Sequence, residues 1–328
     1  MLGWGLEGVV WGLIVLNLFL VLVPVPTFLK KLQFGESYPS KSVLTFSSPL
    51  FGASLLSFLS GYADLFLVMY YLLPSDVGVY NVAVTASSSL IMILVGSIQA
   101  VLLPAFSKAF GHGGVRVVEK VFTKASRYTA LVYVPSAIGL TVLSWPVVWL
   151  LAGKVYTDAV MPMMVLSVTS LGYGLSTPIM AGLQASGRTA LVFRVTALAL
   201  IGEVVACLVA IPFLGVVGAS VGRGIFYAVT LLYGVYEANR FLTLRFDRDG
   251  LGKSFASGAV MAGVVASLEL FSTSVFLLPL YIFAGFFIYL FCLKILRGVE
   301  AYDVNIIESL VPNRIRWATQ IFRFLKMR

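Results

Sequence analysis

The chain has 328 residues, 59% hydrophobic and only 11% charged, with a net charge of +9. Soluble domains carry about 25% charged residues, so a soluble core is excluded. Nine windows can each cross about 30 Å of hydrocarbon, near 4–24, 46–73, 78–105, 128–151, 160–182, 189–213, 217–239, 254–273 and 276–296. They are apolar all round, with scattered Gly and Pro and no period-2 alternation, which predicts an all-α membrane protein, not a membrane barrel.

The first window is followed, not preceded, by positive charge (Lys30, Lys31), so it is an anchor and not a cleavable signal. The second contains Asp64, ten residues before Pro74, or about 15 Å below the end of the helix and near the bilayer midplane. Ser47, Ser54, Ser57, Gly61, Asp64 and Tyr71 fall on one helical face. Two readings of Asp64 stay open. It lines a water-filled cavity with Ser54, Ser57 and Gly61, meeting substrate or a coupling cation, or it is the partner of a cation on another helix. The third window leads to a basic connection containing the chain's one histidine, His112. Further on, Pro135, Gly139, Pro162 and Pro178 interrupt spans.

The sixth and seventh windows carry Arg194, Glu203 and Arg223. Glu203 and Arg223 flank a tight turn at depths about 4.5 Å apart, a gap an arginine covers, so they are candidates for an intramembrane ion pair. Gly218 and Gly222, four apart, suit close helix packing there. Arg194, nine residues from Glu203, lies on the opposite helix face. It either snorkels or holds a phosphate at a cavity mouth. Cys207 and Cys292 fall inside spans and read as small core residues.

The cations orient the spans. Of 23 Lys and Arg, twenty lie in the connections after spans one, three, five and seven or in the tail, and only Lys154 lies in the alternate connections. This positive-inside pattern puts the odd connections and the C-terminus in the cytoplasm and Met1 outside, as a multi-pass protein of the cell (cytoplasmic) membrane. Anionic lipid accounts for the net charge, and no nucleic-acid partner is expected. From Tyr302 onward, Ile315, Ala318, Ile321, Phe322 and Leu325 recur at helical spacing between basic residues, which predicts an amphipathic helix on the cytoplasmic leaflet.

Catalytic signatures are missing. One histidine excludes His-based zinc sites and Ser-His-Asp catalysis. No phosphate loop appears, and the outer connections are too short for a catalytic domain. The expectation is a carrier, not an enzyme, with no metal and no cofactor.

Three stretches add a resemblance. ADLFLVMYYLLPSDVGVYNVAV, LLPAFSKAFGHGG, and GKVYTDAVMPMMVLS followed by LQASGRT and AIPFLGVVGASVGRGI resemble, in order and spacing, the polysaccharide biosynthesis flippases of the multidrug/oligosaccharidyl-lipid/polysaccharide exporter superfamily. The resemblance implies a single span and cytoplasmic loop over 1–42, a six-helix second lobe over 43–240, two additional spans over 241–298 and a basic tail over 299–328. About five upstream helices of a first lobe would then be missing, and a missing N-terminal lobe or a second membrane subunit becomes an implied partner. The implied substrate is a lipid-linked oligosaccharide moved by alternating access. Arg194 would meet its phosphate, and Asp64 and the serine stripe its hydroxyls. The alternatives are a drug/cation antiporter of the same superfamily titrating Asp64, and an inactive membrane scaffold in a glycan-assembly complex.

Overall fold

The computed structural model describes residues 5–31, 39–241, 244–271 and 275–298, and among these residues there is no strand. The chain forms two compact units, residues 1–44 and 45–328. The first carries α1 (Gly5–Leu22) and α2 (Val25–Lys31), whose apolar side chains are exposed all round. The basic amphipathic tail expected over 299–328 lies outside the described residues.

α3 (Ser40–Tyr71) is followed by α4 (Pro74–Val142), 69 residues long. A straight helix of that length would measure about 100 Å, far more than a bilayer. α4 instead folds back on itself. Tyr80 shares a core cluster with Leu140, Val95 with Tyr133 and Ala137, and Phe106 with Phe122. These nested pairs define two antiparallel arms, Pro74–Gly111 and Val117–Val142. The basic connection read between the third and fourth spans is therefore mostly helical, an extension of both arms beyond their apolar parts.

The second arm breaks at Leu143 and turns by 72° into α5 (Ser144–Ala152). Pro146 explains the break. It has no N–H for the carbonyl of Val142, and its ring clashes with that carbonyl in a straight helix. Ser144 Oγ donates to Leu140 O at 2.9 Å and Thr141 O at 2.8 Å, capping carbonyls near the break. The prolines expected to interrupt spans behave differently. Pro135 and Pro178 lie inside continuous helices, and Pro162 sits in the first turn of α6, where no intrahelical donor is needed.

A short 3-10 turn, Lys154–Ala159, leads to α6 (Val160–Ala185), α7 (Thr189–Leu214), α8 (Val216–Asn239), α9 (Arg248–Phe271) and α10 (Leu278–Ile295). Among the described residues eight helices are long and apolar enough to cross a membrane, and the bent pair makes a ninth. The all-α membrane fold and its span count are thus as the hydropathy pattern required.

Two clusters mark the two ends of the larger unit. One gathers Leu72, Val77, Tyr156 and Val216 from the short connections. The other gathers Phe106, Phe122, Leu183, Leu191, Ala238 and Phe246 from the basic ones. Every basic connection described in this unit thus emerges at one end. α9 and α10 pack on the second arm of α4 through Met261, Val265, Tyr281 and Tyr289.

α7 and α8 reverse over a single residue, Gly215, at φ +58°. A side chain at Gly218 would place Cβ 2.4 Å from Ala210 O, and one at Gly222 would place it 2.1 Å from Cys207 Sγ. The two glycines let the helices touch backbone to backbone. Gly218→Val should therefore cost about 1–3 kcal/mol or more, read as earlier melting of the detergent-solubilised protein. Gly263→Val, where an added Cβ meets no atom within 4 Å, should melt like the parent. Equal melting of both variants would show that the close approach is absent.

Candidate functional site: a buried charge cluster beside an open helix face

The backbone contact at Gly222 fixes the next residue. Arg223 leaves α8 at mid-depth and reaches α3, where Asp64 is completely buried. Arg223 Nη2 donates to Asp64 Oδ1 at 2.8 Å, and Nε makes an ionic contact with Oδ2 at 2.6 Å. Nη2 also lies 3.1 Å from Gly61 O and 3.4 Å from Ser60 O. Asp64 accepts two further bonds, one from Leu65 N at 2.7 Å and one from the hydroxyl of Tyr80 on α4. A close guanidinium–carboxylate pair whose acid accepts further hydrogen bonds tolerates burial, although Arg223 Nε itself makes no hydrogen bond.

Glu203 on α7 is the second acid. It too is completely buried, and it accepts from Ser60 Oγ. Its Oε1 is 3.8 Å from Arg223 Nε and has no hydrogen bond. Glu203 and Arg223 do approach across the α7–α8 turn, but the shorter partner of Arg223 is Asp64. Four helices, α3, α4, α7 and α8, meet in this cluster.

This places Asp64 in the second of its two sequence readings, as partner of a cation on another helix. Asp64 is fully buried, whereas the first reading asked for a cavity-lining carboxylate. The other stripe residues separate from it. Ser54, Ser57 and Gly61 are all exposed, and Ser54 Oγ bonds back to Leu50 O at 3.0 Å. α3 buries only a narrow line, Ala53, Ser60, Asp64 and Val68. Arg194 is exposed on α7, on the opposite face from Glu203, as the nine-residue spacing required. Its neighbour Phe193 packs on Gly52 of α3, where an added Cβ would lie 2.8 Å from the ring. The ring of Phe193, next to Arg194, thus meets α3 two residues from Ser54. Sequence reasoning missed Tyr80 and Ser60. A buried tyrosine one turn into the next span was the available signal for the first, while Ser60 lay one step off the polar stripe. Among the described residues no group of His, Cys, Asp or Glu is arranged to hold a metal ion.

Residues 1–161 match the family described as polysaccharide biosynthesis protein. Over 292 residues the chain is 22% identical to the probable low-salt glycan biosynthesis flippase Agl15 of Haloferax volcanii, covering 88% of this chain and 61% of that protein. Among solved structures it resembles the lipid II flippase MurJ in its inward closed conformation, with a TM-score of 0.66 and 17% identity over 81% of this chain and 57% of that one. It also resembles a transporter of the MOP superfamily from Pyrococcus furiosus, with a TM-score of 0.56 and 15% identity over 83% of this chain and 68% of that one. The fold is like that of these solved transporters, and the resemblance to polysaccharide biosynthesis flippases is borne out. The chain spans about three fifths of the length of the flippase relatives it matches.

Removing one partner of a buried pair leaves an uncompensated charge, at about 3–5 kcal/mol. Asp64→Leu and Arg223→Met should each destabilise the solubilised protein by that order. The double variant should recover part of the loss, because neither charge of the pair remains. Strictly additive losses in the double-mutant cycle would show that the two side chains do not interact.

Proposed function

We propose that this chain supplies one lobe of a flippase that carries a lipid-linked oligosaccharide across the cell membrane by alternating access, without catalysing a reaction. The observation that carries this reading is the 292-residue likeness to a glycan biosynthesis flippase. The geometry supports it. The charge cluster welds α3 to the bundle along one narrow line and leaves Ser54, Ser57 and Gly61 facing outward. Serine hydroxyls and an open glycine surface suit sugar hydroxyls better than lipid tails. Arg194, beside the α3–α7 contact at Gly52, is the first cation a substrate phosphate would meet. A second lobe, carried by the same protein or by a partner subunit, would close the opposite wall of the cleft.

The antiporter alternative needs Asp64 available to bind and release a cation. Arg223 already occupies that carboxylate. The scaffold alternative predicts that the exposed α3 face tolerates bulk.

A strain lacking its lipid-linked oligosaccharide flippase tests both. The complete reading frame should restore surface glycan. Ser57→Trp should cut that recovery about tenfold, the effect of about 1.4 kcal/mol on a barrier. Phe283→Trp, on the exposed side of α10, should not. Full activity of Ser57→Trp removes α3 from the cleft, and failure of the complete frame to complement leaves the scaffold reading in its place.

The orientation belongs to the same proposal, with the basic end in the cytoplasm and the N-terminus outside. In a background without Cys207 and Cys292, a membrane-impermeant thiol reagent applied to intact cells should label Asp158→Cys and spare Arg248→Cys. Labelling at 248 in sealed cells reverses the topology.

A further inference from the structure

At the basic end, the α8–α9 connection encloses a cavity of about 530 Å³ lined by Val235, Asn239, Leu244, Arg245, Phe246 and Arg248. That volume is in the range of small-molecule sites. The other cations and acids nearby are largely spoken for. Asp247 contacts Arg127 at 3.5 Å and caps the start of α9 through Gly250 N at 3.0 Å. Asp249 is paired with Lys253, Glu237 contacts Arg240 at 3.5 Å, and Arg188 stacks 3.5 Å above the ring of Phe241. Arg245 and Arg248 are exposed and have no acidic partner among the described residues.

Three contacts hold the described parts of the connection. Thr123 Oγ1 donates to Arg245 O at 3.0 Å, tying the connection to the second arm of α4. Asn239 Oδ1 accepts from Leu244 N at 3.1 Å, and the ring of Phe246 packs edge-on to Phe122 with centroids 5.2 Å apart. The cavity thus has an apolar wall and two guanidinium groups without an acidic partner among the described residues. It sits where α8 ends and α9 begins.

We infer that this cavity is an anion site that binds a phosphate group at the membrane surface through Arg245 and Arg248. Paired guanidinium forks match phosphate oxygens in bidentate fashion. Val235, Leu244 and Phe246 would pack against the apolar part of an amphiphile carrying that phosphate. The inference does not depend on the flippase reading, since any phosphate-bearing ligand at this surface fits the same chemistry.

The test uses the whole protein, purified in mild detergent and exchanged with phosphatidylglycerol or phosphatidylcholine, with retained lipid read by native mass spectrometry. Phosphatidylglycerol should be retained over phosphatidylcholine. The double variant Arg245→Ala/Arg248→Ala should lower its retention roughly thirty-fold, the combined effect of two surface arginines on an anionic headgroup. Arg245→Lys/Arg248→Lys should keep a substantial part, which separates loss of charge from loss of fold. Lys154→Ala, at the other end of the bundle, should match the parent. Competition with inorganic phosphate assigns the source. If it displaces the lipid, the site takes free phosphate as well, and if it does not, the site requires the lipid. Equal retention of the two lipids, or unchanged phosphatidylglycerol retention in the double alanine variant with no inorganic phosphate binding either, overturns the proposal.

Discussion

A guanidinium at mid-depth in an apolar bundle is the constraint from which the rest of the larger unit follows. Arginine cannot shed its proton, so Arg223 must be met by a carboxylate and by further acceptors or be expelled to water. Its position is not adjustable, because Gly222 beside it presses directly on Cys207 of α7. α8 therefore delivers a fixed charge, and the neighbouring helices must bring acceptors to it. α3 brings Asp64 with the carbonyls of Ser60 and Gly61, while α7 brings Glu203. The desolvation cost of such a pair can exceed its attraction, so its value lies in register more than in stability.

That register matters most for α3. Half of its buried side chains, Ser60 and Asp64, are polar members of the cluster. Apolar contacts alone would let a helix so rich in Phe and Leu rotate with little penalty, since lipid and protein are equally apolar solvents for it. The forked contact with Arg223 allows one rotation only. Fixing Asp64 inward leaves Ser54 and Gly61, roughly 60–80° around the helix at 100° per residue, on the exposed surface beside it. The open polar face is a consequence of the sealed charge.

Much of this was legible in the sequence. Window length and the charge asymmetry of the connections gave the spans, because hydrocarbon thickness and backbone hydrogen bonding leave few alternatives. Gly218 and Gly222 announced the α7–α8 contact by their spacing. The break at Leu143 was not seen, because Pro146 lies in an apolar run whose hydropathy continues unchanged through it. The helical extension over the basic connection was hidden for the opposite reason, since polar residues there look like loop. Glu203 was read as the partner of Arg223 because the two are neighbours along the chain. Depth arithmetic allowed Asp64 equally well, some four residues from Arg223 in level, or about 6 Å. What the sequence lacks is the order of helices around the bundle, and that order decides which acid arrives first.

The cations of the molecule accordingly divide by what answers their charge. Arg223 is answered from within, by two carboxyl groups and two carbonyls. Arg127 is answered at the basic end by Asp247 and by Gly298 O at 2.9 Å. Both hold helices together. Arg194, Arg245 and Arg248 are exposed and have no acidic partner among the described residues. Burial alone would have ranked Arg223 and Asp64 as the functional centre, since intramembrane charge is rare and usually functional. Bonding capacity ranks them the other way. A buried pair resists exchange, whereas an exposed guanidinium without an acidic partner is open to a ligand. The exposed guanidinium groups without an acidic partner therefore lie at the edges of the bundle, and the charge at its centre ties α3, α4, α7 and α8 together.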